Sequence, residues 1–216
     1  VLASGDVHGD GPDDLVVADP AFGCHDPGRP DYGSGVVVLL PGSARGLTTS
    51  DSQLWTQDSP GVDGAERLGN LFGEALAMGP LDRGDTADLA IGAPGDGTGS
   101  VTVLLGGAKG LSTAGIGGTR YTQATPGIVG TAEAGDRFGD TVTTAPVQNQ
   151  SQASLIIGVP GEDVGSVTDA GSVTQLSISR TGPDPRGSRT FTANTPGVKG
   201  KAGRFDHFGD STHHWG

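Results

Sequence analysis

The stretch FGEALAMGPLDRGDTADLAIGAP, which runs from Phe72 to Pro94, decides the fold because the chain repeats it. A Phe-Gly pair opens the stretch and a Gly-Ala-Pro triplet closes it, with 22 positions between Phe72 and Pro94. The same 22 positions separate Phe138 from Pro160, and a third Phe-Gly pair begins at Phe208. Regular recurrence of this kind indicates that the chain is built from copies of one unit.

A second spacing supports the repeat. An aromatic residue, followed by a Pro-Gly turn, precedes each Phe-Gly pair by 17 positions; the three pairs of aromatics are Trp55 and Phe72, Tyr121 and Phe138, and Phe191 and Phe208. The Phe-Gly pairs themselves follow one another at steps of 66 and 70 residues. Three equal spacings are difficult to obtain by chance, so we expect three similarly built units.

The composition of each unit favours short strands. The chain has 40 Gly and 14 Pro in 216 residues, placed between short apolar runs as turn residues are. No convincing helical period occurs. The full units predict strands at 72–78, 89–92, 100–105 and around 121, and at 138–144, 155–158, 172–176 and around 191. Four short antiparallel strands per unit predict an all-β fold, a partial β-propeller of about three four-stranded blades. A β-sandwich is the alternative.

The predicted blade pieces cover the whole chain as a single partial propeller. They are 1–58, with strands two to four of a blade, then 68–124 and 134–194 as full blades, and 204–216 with a first strand only. Closed propellers contain about four to eight blades. The chain is therefore expected to be a fragment of a longer protein, and an open arc is the alternative.

The paired motifs resemble the FG-GAP repeat family, the propeller of integrin α subunits and of secreted bacterial proteins. The motifs that carry this resemblance are Phe72-Gly73 with Gly92-Ala93-Pro94, and Phe138-Gly139 with Gly158-Val159-Pro160. The resemblance implies an integrin-like propeller that acts outside the cell or at its surface as a binding or adhesion module. It also implies calcium in loops between first and second strands, and a protein or carbohydrate ligand on one propeller face.

The first such loop contains the best candidate for a metal site. Asp6, His8, Asp10 and Asp14 stand at positions 1, 3, 5 and 9 of a pattern similar to the family's D-x-D/N-x-D-G-x-x-D loop, and the Pro12 carbonyl stands at position 7. Calcium prefers six to eight oxygen ligands, and a histidine nitrogen is a poor substitute. The loop predicts a weak calcium site, with a dissociation constant on the order of 10⁻⁴ to 10⁻³ M. The alternative is a turn capped by its own carboxylates.

The second loop has the same length but fewer suitable residues. Asp82 and Asp88 remain in register with the first loop, and Asp85 takes its glycine position. These three residues predict a weaker calcium site. The acidic residues Asp96 and Glu162, which follow the Gly-Ala-Pro and Gly-Val-Pro triplets, are expected either to bind a partner on one propeller face or, more simply, to be solvated in turns.

Charge and missing motifs exclude several functions. The formal net charge of −12 disfavours binding to nucleic acid and anionic membranes, although acidity alone also serves solubility. The longest apolar run, Val36 to Leu40, is too short to span a bilayer. Since no common catalytic motif occurs, the chain is not predicted to be an enzyme. The alternatives are the propeller portion of a larger secreted phospholipase- or esterase-like hydrolase, or a truncated copy without independent function.

Overall fold

A computed structural model describes residues 1–24, 32–146 and 153–210. In these ranges the protein is all-β, with three four-stranded antiparallel sheets that follow one another along the chain and no helix. No segment of these ranges forms a helix that is long and apolar enough to cross a membrane.

The first sheet contains one strand more than the sequence predicts. Its strands are β1 (Leu2–Gly5), β2 (Asp14–Asp19), β3 (Val36–Leu40) and β4 (Gln53–Trp55), in that spatial order. The prediction that 1–58 holds only strands two to four is therefore wrong. The segment Leu-Ala-Ser-Gly has little strand propensity of its own, and it becomes a strand because it pairs along its whole length with β2.

The second and third sheets repeat this order. The second contains β5 (Ala75–Gly79), β6 (Asp88–Ala93), β7 (Ser100–Leu104) and β8 (Arg120–Tyr121), and the third contains β9 (Thr141–Ala145), β10 (Ser154–Val159), β11 (Ser172–Ile178) and β12 (Pro183–Phe191). The predicted strand at 204–216 is not formed in its described part, residues 204–210. Its remaining residues, 211–216, lie outside the described ranges.

The core lies between successive sheets. Val16, Val37 and Leu39 of the first sheet share one apolar cluster with Ile91 of the second. A second cluster joins one face of the middle sheet to the third, and its members include Val101, Val103, Leu155 and Ile157. The middle sheet is accordingly buried on both faces. The first strands of consecutive sheets also touch, β1 against β5 and β5 against β9.

The three Phe-Gly pairs occupy equivalent places. The backbone N–H of each phenylalanine donates to a backbone carbonyl of the preceding unit. The bonds run from Phe72 to Ser34 at 3.1 Å, from Phe138 to Thr98 at 3.1 Å, and from Phe208 to Ala170 at 3.0 Å. In each case the residue after the acceptor is a glycine with positive φ. Phe72 and Phe138 are completely buried. This docking explains why β5 and β9 begin three residues after their Phe-Gly pairs rather than at them. The motif is therefore a repeated contact between sheets.

The glycine of each Gly-Ala-Pro or Gly-Val-Pro triplet permits this docking. A Cβ atom at Gly92 would lie 2.1 Å from the Gly139 carbonyl oxygen, and one at Gly158 would lie 2.2 Å from that of Gly209. Because real Cβ atoms do not approach backbone so closely, only glycine fits at these positions.

Candidate functional site

The loop between β1 and β2 contains the predicted first metal site. The Asp6 carboxylate accepts hydrogen bonds from three backbone N–H groups of its own loop, those of Gly9 at 2.7 Å, Asp10 at 3.1 Å and Gly11 at 2.9 Å. Gly9 and Gly11 have positive φ, which lets the loop turn back over this carboxylate. Asp6 therefore organises the loop as an Asx-type acceptor.

Asp14, at the start of β2, is a buried acceptor with only 1% of its surface exposed. Its Oδ2 atom accepts from the backbone N–H groups of Val7 at 2.9 Å and His8 at 3.2 Å, and it lies 2.9 Å from His8 Nδ1. Its Oδ1 atom accepts from the Gly42 N–H at 2.7 Å, beyond the end of β3. Asp14 thus joins the β1–β2 loop to the segment that leaves β3.

Asp88 has the same role in the second sheet and is also 1% exposed. It accepts from the N–H groups of Leu81 at 2.8 Å, Asp82 at 3.0 Å and Gly106 at 2.9 Å. The pKa of Asp88 is raised to about 6: burial is the main cause and the nearby Asp82 carboxylate also raises the pKa, while the three N–H donors lower it. In the third sheet Ser154 stands at this register position, so the carboxylate acceptor is present in two sheets only.

The carboxylates of both loops are engaged by backbone donors in this structure. The Asp6, Asp14 and Asp88 oxygens already face N–H donors, whereas a cation needs oxygens that converge on one point. Asp10 and Asp85 are exposed, and Pro12 and Asp82 are partly exposed. In the described part of the chain, no three His, Cys, Asp or Glu side chains come together as a metal site. Calcium binding at the two loops stays a prediction of the sequence.

A polar cluster that the sequence analysis missed lies between the first and second sheets. Its members are Gln57, which follows β4, Asn70, which precedes β5, and Asp96, which follows β6; we call it the first polar cluster. Gln57 donates from Nε2 to Asp96 Oδ2 at 3.0 Å and accepts at Oε1 from Asn70 Nδ2 at 2.7 Å. Arg120 Nε donates to the same Asp96 oxygen at 2.6 Å. Asp96 is therefore a structural acceptor and not only a solvated turn residue.

The corresponding residues between the second and third sheets form the second polar cluster, made of Gln123, Asp136 and Glu162. Each stands 66 positions after its counterpart. Gln123 Nε2 donates to Glu162 Oε2 at 2.5 Å, and Gln123 Oε1 is buried without a hydrogen-bond partner. The signal that could have identified both clusters is the Thr-Gln pair that follows Trp55 and Tyr121, the aromatic residues of the first two spacings.

Comparisons with known proteins give one class of relative. No protein-family model matches the chain. Over 166 residues, or 74% of the chain, it is 30% identical to the phosphatidylinositol-glycan-specific phospholipase D of Bos taurus. Over 102 residues, or 47% of the chain, it is 36% identical to the enzyme of the same name from Rattus norvegicus and 34% identical to that of Mus musculus. The chain spans only 18%, 12% and 11% of the length of these three proteins, respectively.

Proposed function

We propose that this chain is the non-catalytic, propeller-forming portion of a larger protein similar to phosphatidylinositol-glycan-specific phospholipase D. The observation that carries the proposal is the similarity to the bovine phospholipase, which extends over 74% of the chain and so covers more than one repeat unit. The chain corresponds to less than a fifth of that protein, and the proposal assigns the chemistry to residues elsewhere in the larger molecule.

The architecture of a propeller is supported by how the sheets contact one another. Three sheets of equal strand order follow in the chain, with their first strands adjacent and a Phe-Gly pair docked on each preceding sheet. A radial stack of such sheets is an FG-GAP-type propeller, with the first strands nearest the axis. In the larger protein this portion serves as an extracellular scaffold whose face binds a protein or carbohydrate.

The proposal is tested by determining the coding sequence on both sides of the chain and assaying both products. We expect a hydrolase domain in the same reading frame. The longer product should release a glycosylphosphatidylinositol-anchored reporter enzyme from vesicles, whereas the 216-residue chain alone should release none. Further Phe-Gly repeats alone on both sides would overturn the phospholipase assignment and favour a binding or adhesion module.

Calcium binding is a separate prediction with its own test. With the predicted dissociation constant of about 10⁻⁴ to 10⁻³ M, calcium at about 10 mM is present at roughly 10 to 100 times that constant and stabilises the protein by about 1.4 to 2.7 kcal/mol. A real site should therefore raise the melting temperature in about 10 mM calcium relative to chelator. Asp10→Ala is the suitable variant because Asp10 is exposed and its loss leaves the acceptor Asp6 and the buried acceptor Asp14 in place. If calcium causes no rise in the wild-type protein, calcium has no role in these loops.

A further inference from the structure

The first polar cluster satisfies every hydrogen-bonding group at its centre. Asn70 supplies a hydrogen to Gln57 Oε1, and Gln57 supplies one to Asp96. The Arg120 guanidinium neutralises Asp96, which also accepts from the Ser100 hydroxyl at 2.9 Å. The cluster therefore joins the first two sheets without an unpaired buried group, as buried polar networks require.

The second polar cluster differs at three positions, and two of the changes add a negative charge or remove a positive one, while the third exchanges one acid for another. Asp136 stands at the position of Asn70, and Glu162 stands at the position of Asp96. Arg120 pairs with the third strand of the second sheet, and the residue at the same position in the third sheet is Thr190. Gln123, only 3% exposed, keeps its bond to Glu162, but its Oε1 atom has lost the donor that Gln57 has. A buried amide oxygen without a donor destabilises the folded state.

Asp136 occupies the place from which that donor should come. Its backbone carbonyl accepts from the Gly161 N–H at 3.0 Å, just as the Asn70 carbonyl accepts from the Gly95 N–H at 3.2 Å. Asp136 is 2% exposed. An ionised carboxylate can only accept hydrogen bonds, whereas a protonated carboxyl group has one hydrogen to donate. The missing hydrogen is therefore available when, and only when, Asp136 is protonated.

We propose that Asp136 and Gln123 form a proton-dependent link between the second and third sheets, closed at mildly acidic pH by a hydrogen bond from the Asp136 carboxyl to Gln123 Oε1 and broken near neutral pH. When the proton leaves, the Asp136 carboxylate and the Gln123 amide oxygen are two acceptors in one buried place. The tie between the sheets then weakens, while the first polar cluster is unaffected.

The surroundings of Asp136 place this transition in an accessible pH range. The pKa of Asp136 is raised to about 6: burial is the main cause, the negative charges of Glu133, Asp163 and Asp169 also raise the pKa, and a hydrogen bond from the Glu133 N–H lowers it. Burial also raises the pKa of Glu162, beside Gln123. Because the folded-state pKa of Asp136 lies above the ordinary 3.8, its stabilising effect is complete below pH 3.8 and is lost as the pH rises through about 6.

A proton fits this place better than a metal ion. In the first polar cluster the two facing atoms, Asn70 Nδ2 and Gln57 Oε1, are only 2.7 Å apart. Such a separation is that of a hydrogen bond, whereas a calcium ion needs six to eight oxygen ligands around it. The described residues also include no group of three metal-ligating side chains here.

Asp136→Asn tests the proposal because it copies the first polar cluster into the second. Melting of the full 216-residue chain should be followed at pH 5 and pH 7.5. The wild type should melt lower at pH 7.5, and Asp136→Asn should reduce the difference by about 4–8 °C, mainly by melting higher at pH 7.5. An unchanged difference would overturn the proposal. Calcium should also be added at pH 7.5. If it raises the melting temperature of the wild type but not that of Asp136→Asn, a bound cation and not a proton forms the link, and the proposal is wrong.

A double-mutant cycle with Gln123→Met separates the hydrogen bond from simple relief of charge repulsion. If the link exists, Asp136→Asn should raise the melting temperature at pH 7.5 in the wild-type background but not in the Gln123→Met background, where residue 123 offers no acceptor. If the advantage persists in that background, repulsion among the acidic residues explains it and the link does not exist. Should Gln123→Met fail to fold, NMR titration of the wild type decides: the Asp136 carboxyl and the Gln123 side-chain amide must titrate together near pH 6.

Discussion

At the scale of single residues, the acidic side chains of the two β-hairpin loops act as acceptors for backbone N–H groups. Asp14 and Asp88 each reach from the start of a second strand to the loop before it and to the segment after the third strand. Three elements of one sheet therefore depend on one buried carboxylate. Ionised acceptors make stronger hydrogen bonds than neutral ones, which explains why an acid is placed at a site that water does not reach.

Asp14→Ala should lower the free energy of unfolding by about 3 kcal/mol, because it leaves several buried N–H donors without an acceptor. Chemical denaturation of the two proteins at equal pH measures the difference. Asp10→Ala is the matched control, since it removes an exposed carboxylate from the same loop and should change the free energy by less than about 0.5 kcal/mol. Equal losses in both variants would show that Asp14 is not the anchor of the loop.

Asp88 should make the stability of the protein depend on pH. Its folded-state pKa of about 6 lies above the ordinary 3.8, so the native state binds its proton more tightly than the unfolded chain does. The free energy of unfolding should fall as the pH rises from about 4 to 7, by up to about 3 kcal/mol from this group. Asp88→Asn should be less stable, since one oxygen cannot replace two, and should lack this part of the pH dependence. Identical pH slopes in unfolding experiments would contradict the assignment.

At the scale of elements, the second strands of the second and third sheets each meet the Phe-Gly segment of the next unit at a glycine, whereas Ala18 stands at this position in the first sheet. The backbone carbonyl of Gly139 lies where a side chain at Gly92 would begin, and Gly209 stands in the same relation to Gly158. The short strands and their close packing depend on this approach, because a single displaced carbonyl would shift the whole following sheet.

Gly92→Ala should therefore destabilise the protein by about 2–3 kcal/mol, within the range for overpacked sites, because its Cβ would lie 2.1 Å from a backbone oxygen that cannot rotate away. Gly107→Ala is the control, since nothing lies within 4 Å of a Cβ at that position and its φ is not in the left-handed region. Thermal melting of both variants measures the difference. Equal melting temperatures would mean that the second strand accommodates the methyl group by moving.

The sequence predicted those elements whose signal is local. Strands with alternating or continuous apolar residues, such as β7 and β10, were placed within a residue or two of their true bounds. The strand β1 was missed because its four residues acquire their conformation from β2 and not from their own propensity. The Asp14 position was correctly selected as special, but a spacing rule cannot distinguish an oxygen that faces a cation from one that faces an N–H group. Gln57 and Gln123 were missed for a related reason, since their partners are 39 residues away in the chain.

At the scale of the whole molecule, the main strand contacts within the described residues join each sheet to the one before or after it in the chain. One apolar cluster joins the first sheet to the second, and another joins the second to the third. A phenylalanine from a Phe-Gly pair lies in each: Phe72 in the former and Phe138 in the latter. In such an array, stability is the sum of the stabilities of the units and of their interfaces, so each phenylalanine should control the coupling of one pair of sheets.

Phe138→Ala and Phe72→Ala should consequently uncouple opposite ends of the molecule. Each should cost about 3–5 kcal/mol, since each removes a fully buried aromatic ring. Hydrogen exchange measured by mass spectrometry tests this. Phe138→Ala should reduce amide protection mainly in β9–β12, and Phe72→Ala should reduce it mainly in β1–β4. The reason is that a terminal sheet whose interface is weakened opens before the rest of the molecule. Phe205→Ala, at a ring that is 53% exposed, should leave both patterns unchanged. Uniform loss of protection in all three sheets would show instead that the molecule unfolds as one cooperative unit.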